Sequence, residues 1–296
     1  MSKVGLVTVL YKSDDVLEGF FKSLSIQSFK DYHLYIIDNS PSLNTEQLIN
    51  QLTTTYPIQG LTYTKNKANL GVAKGNNQGI EQALLHQSEF VLLLNNDIEF
   101  YQEFLLTEMV NYALFEYEDL IIPKIFFHNS RTIWMAGGKL LQNKAIITHV
   151  GFEQEDSEKF NNKAYFNYAP TCFLLIRSTV FNKIGVMDEK YFVYYDDTDF
   201  ITRAINASYK IFYMPTLEVF HRVSNSTGGG VSLFSIYYLN RNRFYYIRKN
   251  LTFPNRQFAF FYSFITRMLL LLKYNRIQRK DLLKAIKDGL NLPIHK

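Results

Sequence analysis

The sequence predicts an α/β fold: a mainly parallel central sheet flanked by helices, followed by a helical C-terminal arm. Three observations carry that expectation. The first third alternates short β-rich runs with segments of helical periodicity, the pattern of strand–helix units joined by right-handed crossovers. One run, Phe90 to Leu94, is apolar throughout and gives way abruptly to Asn95-Asn96-Asp97, as a strand buried on both faces does where it leaves the sheet. Charge is also divided along the chain. From Arg241 onward there are 13 Lys+Arg against 2 Asp+Glu, a net of +11, which leaves −6 on the preceding 240 residues of a chain whose total is +5. An acidic body and a basic arm follow from that division.

The elements can be assigned in order. Val4 to Leu10 forms a first strand, and the turn Tyr11-Lys12-Ser13-Asp14 offers Ser13 or Asp14 as the N-cap of a helix. Val16, Leu17, Phe20, Phe21 and Leu24 share one face of that helix. Residues 32–37 make a second strand ending in the turn sequence Asp38-Asn39-Ser40-Pro41. A short helix carries Leu48, Ile49 and Leu52, and residues 61–64 form a third strand. The next helix repeats Val72, Asn76, Ile80 and Leu84 and leads into the Phe90 strand.

Composition bounds the function classes. With 296 residues, 47% hydrophobic and 16% aromatic, the chain can bury the core of a large domain. One cysteine, Cys172, excludes an internal disulfide framework and fits a reducing compartment. The N-terminal residues have the character of a strand and not of a signal h-region, and no apolar run reaches the roughly 18 residues of a membrane span. The expected location is the cytoplasm, or the inner face of the plasma membrane. No nucleic-acid motif accompanies the basic arm, so nucleic acid is not an expected partner.

Three strand ends carry polar groups able to converge: Asp38, Asn69 with Gly71, and Asp97. A nucleotide in that crevice needs a carboxylate for base or ribose and backbone donors for phosphate. Residues 69–79 hold three glycines and a lysine at the start of a helix, yet match neither a Walker loop nor the dinucleotide fingerprint. Asp97, flanked by amides, suits a hard divalent cation that keeps most of its ligands as water and phosphate. A plain polar turn after a core strand would carry the same residues. Asp196 and Asp197 sit side by side between aromatics, so repulsion should raise one pKa. Asp-Asp-Thr-Asp is equally good first-turn chemistry for the helix carrying Phe200, Ile201 and Ala204. His221 follows an apolar run and is either a core or edge residue or, as a neutral imidazole, a metal ligand. His86 and His128 lack such context and are assigned structural roles. Trp134 with Gly137-Gly138 suggests a tight hairpin near the acceptor, or a cap on the sheet.

Taken together, Ile37-Asp38-Asn39-Ser40, residues 69–80 and Leu93-Leu94-Asn95-Asn96-Asp97 resemble glycosyltransferase family 2, and within it the rhamnosyltransferase-like branch that builds bacterial surface polysaccharides. The likeness continues through Trp134-Met135-Ala136-Gly137-Gly138, Phe173-Leu174-Leu175-Ile176-Arg177 and residues 184–200 to Arg203 and His221. It implies the GT-A fold, a nucleotide-sugar donor, a divalent metal (Mn or Mg) and inversion at the anomeric centre. Position by position, it implies that Asp38 contacts the base or ribose, with Thr8, Val9 and Tyr11 beside it. Asn69, Gly71 and Lys74 fall where the family grips the nucleotide and its phosphates. Asn96 and Asp97 belong to the donor-binding motif, and Asp97 and His221 to the metal. Asp197 matches the general base, with Asp196 as its neighbour. Where many members carry Asp-x-Asp, this chain has Asn95-Asn96-Asp97, one negative charge fewer.

The expected division is a transferase domain over residues 1–227 and a basic, aromatic helical region over 228–296, hinged at Thr227-Gly228-Gly229-Gly230. Tyr237, Tyr238, Arg241, Asn242, Phe244 and Tyr245 are expected to border the acceptor. Residues 258–273 are apolar but interrupted by Arg267, with Arg256, Lys273, Arg276, Arg279 and Lys280 around them. That pattern fits a helix lying on anionic lipid, or one packing on the core or in a homodimer. The function expected is metal-dependent inverting transfer from dTDP-rhamnose or a UDP-sugar to a saccharide or lipid-linked saccharide. Alternatives are a non-catalytic nucleotide-sugar-binding or scaffold protein, or a sugar-phosphate nucleotidyltransferase. Tyr11-Lys12-Ser13-Asp14 lacks the glycine-rich loop that the last of these requires.

Overall fold

A computed structural model describes residues 2–42, 44–222 and 232–294; the expected hinge at residues 227–230 lies outside the described residues. Strand β1 (Val4–Leu10) is apolar or β-branched at nearly every position and almost wholly buried, so it takes a central place in the sheet. A single 3-10 turn (Asp14–Val16) leads into α1 (Leu17–Ser25), which buries Leu17, Phe20, Phe21 and Leu24 in the core. Neither Ser13 nor Asp14 caps it. The 3-10 turn moves the helix start on to Leu17, leaving both side chains to other loops. Ser13 Oγ lies 2.6 Å from Asn96 Nδ2, and Asp14 accepts from Thr45 Oγ1 at 3.0 Å.

β2 (Tyr32–Asp38), α2 (Thr45–Thr55), β3 (Leu61–Lys65), α3 (Val72–Leu85) and β4 (Phe90–Leu94) complete the first half. Strands run β3-β2-β1-β4, all parallel, and β4 is buried along its whole length. α3 packs close on β1 because Gly79 faces it: a Cβ there would stand 2.4 Å from Val7 Cγ1. The later glycines of the 69–79 segment, Gly75 and Gly79, therefore serve helix–sheet contact.

β5 (Ile98–Glu99), α4 (Leu105–Phe115), β6 (Leu120–Phe127) and β7 (Thr132–Met135) follow. After Gly137, whose φ of +95° a side chain would resist, β8 (Gly138–Leu141) and β9 (Ile146–His149) form the hairpin expected from the glycine pair. β10 (Gln154–Glu155) and β11 (Ala164–Phe166) are short edge segments. β12 (Phe173–Arg177) lies antiparallel between β4 and β6, and β7, β10, β11 and β5 extend the sheet beyond it through further antiparallel pairs. α5 (Ser178–Ile184), α6 (Asp196–Asn206) and β13 (Ile211–His221) come next, β13 running parallel to β6.

Three helices close the chain: α7 (Leu233–Asn250), α8 (Asn255–Lys273) and α9 (Arg276–Asn291). Tyr245, Tyr246 and Ile247 of α7 join the main core, while Ile236 and Phe244 form a second, small cluster with Leu282 and Ile286 of α9. Asn242, Phe244 and Tyr245 are thus buried in packing and do not border open space as expected. Arg267 does not interrupt the outer face of α8, because its Nε turns inward to donate to Asn240 Oδ1 at 2.8 Å. Among the described residues, no helix is long and apolar enough to cross a membrane.

Candidate active site

The ends of β1 and β4 and the start of α3 enclose a cavity of about 610 Å³, a volume in the range of ligand sites. Val9, Tyr11, Lys12 and Ser13 line one wall, Asn69, Gly71 and Asn76 another, and Asn95, Asn96 and Asp97 the edge beyond β4. Phe192 and Val193 cover it from the segment before α6, with Ser232 and Phe234 from the start of α7. Asn96 ties the two strand ends together, since its Nδ2 also approaches Val9 O at 3.5 Å besides Ser13 Oγ. Gly71 has φ +86°, and an added Cβ would meet Phe192 O at 2.5 Å, so only glycine fits there.

Thr8, Asp38 and Lys74 do not line this cavity. Thr8 is fully buried in β1. Asp38 is fully buried as well, and its carboxylate is filled by Tyr63 OH, Lys65 Nζ and Ser40 N, each at 2.7 Å. Asn39, the next residue, reaches the cavity in its place, with Nδ2 donating to Gly71 O at 3.1 Å. Lys74 is half exposed and paired with Glu189 at 3.0 Å. Among the described residues, Lys12 is the cationic one on the cavity wall. A propensity reading treats it as a turn residue, and its φ of +52° shows that it is also one.

Beyond Asp97 the polar groups continue as a chain of contacts. His221, at the end of β13, places Nε2 3.3 Å from Asp97 Oδ1. Its ring meets Trp134 edge-on at 4.6 Å, and Trp134 meets His149 at 4.4 Å. Burial keeps His149 neutral, with a pKa lowered to about 4. His149 stacks on Tyr168 at 6.2 Å, and the Tyr168 hydroxyl donates to Asp197 Oδ2 at 2.6 Å. Cys172 lies between the two acidic positions: after burial, the charges of Asp97 and then Asp197 raise its pKa. His149 and Tyr168 escaped the sequence reading because neither sits in a polar motif; only the antiparallel half of the sheet brings them in.

Asp196 and Asp197 open α6, where the helix dipole favours acidic residues. Burial first, and then the charge of Asp197, pushes Asp196 up to about 7. Burial raises Asp197 too, against hydrogen bonds from Tyr168 and Thr198 that favour its ionised form. His86 and His128 stay apart from the cavity, with His86 Nδ1 on Tyr35 OH at 2.6 Å and His128 Nε2 on Glu99 Oε1 at 3.1 Å.

Comparison with known proteins agrees with this architecture. The chain is 24% identical over 251 residues to the low-salt glycan biosynthesis hexosyltransferase of Haloferax volcanii, covering 82% of this chain and 75% of that one. A shorter match, 40% over 55 residues and 19% and 18% of the two chains, is to the N-acetylglucosaminyl-diphospho-decaprenol L-rhamnosyltransferase of Mycobacterium tuberculosis. Among solved structures, the mannosyltransferase PcManGT of Pyrobaculum calidifontis, in complex with GDP-Man and Mn2+, superposes with a TM-score of 0.60 at 12% identity, over 98% of this chain and 87% of that one. The fold is that of the GT-A glycosyltransferases. Residues 6–185 match the model of glycosyl transferase family 2, and the chain belongs to that family of enzymes.

Proposed function

We propose that the chain is an inverting glycosyltransferase that moves a sugar from a nucleotide-sugar donor to a saccharide or lipid-linked saccharide in surface-glycan assembly. The observation that carries this reading is the pairing of two acidic positions, Asp97 at the cavity and Asp197 on Tyr168, joined by contiguous ring contacts through His221, Trp134 and His149. The names of the two sequence relatives favour a hexose or rhamnose as the transferred sugar, and the donor in this reading is dTDP-rhamnose or a UDP-sugar. Cys172, the single cysteine and a free buried thiol, fits a cytoplasmic setting. The transferase unit in this reading spans residues 1–227, with 228–296 as the helical region braced against it.

The donor diphosphate takes the cavity, where Lys12 supplies a cation and Asn96 fixes the spacing of the two strand ends. A divalent ion fits beside it on one observation: Asp97 Oδ1 and His221 Nε2 are 3.3 Å apart, close to the roughly 3 Å between neighbouring ligands of an octahedral ion. No group of three or more His, Cys, Asp or Glu among the described residues is placed to hold a metal ion, so water and phosphate would supply the other ligands, as Mg or Mn prefers. When bound, the ion would neutralise charge on the departing diphosphate.

The remaining work falls to the chain's own groups. The acceptor hydroxyl oxygen bonds to the anomeric carbon, the bond from that carbon to the diphosphate oxygen breaks, and the hydroxyl proton passes to Asp197. Tyr168 OH, Thr198 N and Thr198 Oγ1 occupy three of the roughly four lone-pair positions of the Asp197 carboxylate, leaving room for that proton. Asp197→Asn keeps shape and removes the basic lone pair. Turnover should fall about 10²-fold or more while donor affinity, measured by calorimetry, barely changes. Near-normal turnover in that variant would move the base elsewhere.

A further inference from the structure

α8 carries its polarity inside out. A helix that serves a water-soluble core turns apolar residues inward and polar ones outward. On α8, Phe258, Phe261, Ile265, Leu269 and Leu272 are exposed at successive spacings of three or four, with Phe260 and Phe264 beside them. No charged residue interrupts that face between Phe258 and Leu272. The polar side chains point the other way. Ser263 is fully buried and its Oγ accepts from Arg243 Nε at 2.8 Å, Thr266 Oγ1 bonds to Tyr262 O at 2.8 Å, and Arg267 reaches Asn240. The arginine that made the sequence look interrupted is therefore absent from the outer surface.

Cations frame this face. Arg256 and Lys273 are exposed at its two ends, and on α9 Arg276, Arg279, Lys280, Lys284 and Lys287 are exposed as well. The two acids of α9 offer no counterweight: Asp281 is half-buried and Asp288 accepts from Tyr237 OH at 2.7 Å. We infer that α8 seats the protein on a membrane surface rich in anionic lipid, its apolar face in the headgroup–acyl boundary and the surrounding cations at the lipid phosphates. A second copy of the chain is the poorer occupant, because an isologous contact through this face would bring together two segments of net +11.

The seat lies on the acceptor side of the site. α8 and α7 hold the turn between β8 and β9: Asn255 Nδ2 donates to Gln142 Oε1 at 3.0 Å and Arg243 Nη2 to Lys144 O at 2.6 Å. The next residue of that turn, Ala145, accepts from Tyr195 OH at 3.0 Å, immediately before Asp196 and Asp197. A lipid-linked acceptor lying in the membrane thus has a short path to the base. This last step rests on the proposed function; binding to the membrane does not.

The test uses the full chain and vesicles of phosphatidylcholine alone or with one-third phosphatidylglycerol, in co-sedimentation without donor. The full chain should bind the anionic vesicles, more than tenfold less to the neutral ones, and less as salt rises. Phe261→Glu combined with Leu269→Glu should abolish vesicle binding while leaving helicity and Tm unchanged, since both side chains face solvent. Failure of the wild-type chain to bind anionic vesicles, or full binding by the double variant, overturns the inference. A solution dimer that the double variant dissociates, with no vesicle binding by the wild type, overturns it in favour of a second copy. No donor or turnover enters this measurement, so its failure is distinct from failure of the transferase reading.

Discussion

Replacing Asp196 by Asn should remove a pH dependence of stability whose sign follows from where the carboxyl sits. Asp196 is only 5% exposed and adjoins Asp197; burial and then that neighbour raise its pKa to about 7. In the unfolded chain an aspartate titrates near 3.9. Between those values the folded protein binds more protons than the unfolded one, so stability falls as pH rises through the window. Above about 7 the group is ionised in both states and the dependence ends. Moving the titration from near 3.9 to about 7 corresponds to about 4 kcal/mol across the window.

Asparagine keeps the shape and does not titrate. Urea unfolding of both proteins from pH 4 to pH 8 measures the effect directly, through midpoints at constant m. The difference between variant and wild type should move in favour of the variant as pH rises, by up to about 4 kcal/mol. Asp156 and Asp188, whose pKa values are lowered beside their lysines, add a dependence of opposite sign at acid pH, but it is common to both proteins and cancels. A difference that stays flat from pH 4 to pH 8 would refute the assignment of a neutral, buried Asp196.

Tyr168→Phe removes a hydrogen bond that favours ionised Asp197, so the acidic limb of the pH profile of kcat/KM should move to higher pH, and an unmoved limb would separate the two residues. Asp97→Ala should abolish Mn2+-dependent donor binding in calorimetry with the far-UV spectrum preserved; retained binding would remove Asp97 from the metal. Lys249→Met should cost about 3 kcal/mol in urea unfolding, because the ammonium lies 2.7 Å from both Asp188 and the fully buried Asp199, which would lose a partner; a cost below about 1 kcal/mol would show that Arg203 and Asn250 suffice.

The first half of the fold was legible because each strand there is a continuous apolar run and each helix keeps a single buried face. Leu93 and Phe20 announce their environments in their own neighbourhoods. The site was legible where polar residues cluster at strand ends, as at Asn95-Asn96-Asp97 and Asp196-Asp197. It was obscure where the decisive fact is a long-range contact. Asp38 has the composition of a ligand group, yet Lys65, one strand over, claims its carboxylate. Tyr168 stands between residues with no polar pattern, and only the fold places its hydroxyl on Asp197. Arg267 seemed to break an apolar helix because sequence periodicity cannot tell which side of that helix faces the protein.

The segment from Tyr191 to Tyr195 links these parts, and its backbone shows the cost. Phe192, Tyr194 and Tyr195 have φ of +60°, +63° and +65°, left-handed conformations that bulky side chains resist by about 1–3 kcal/mol each. Such strain persists only where surrounding contacts over-determine it. Here they come from α7: Asn242, fully buried, lies with Nδ2 within 2.8 Å of the carbonyls of Tyr191, Val193 and Tyr194, and Arg241 Nη2 donates to Tyr191 O at 3.1 Å. Lys249 of the same helix bridges Asp188 before the segment and Asp199 after it. The strained backbone does two things at once. It turns Phe192 and Val193 over the cavity, where Phe192 O receives Val72 N at 2.6 Å, and it delivers Asp196 and Asp197 at the first turn of α6. A helix that the sequence assigns to the basic arm is thereby part of the framework that sets the cavity against the first turn of α6, and α7 shares the core of the acidic body while α8 leaves its apolar face outside.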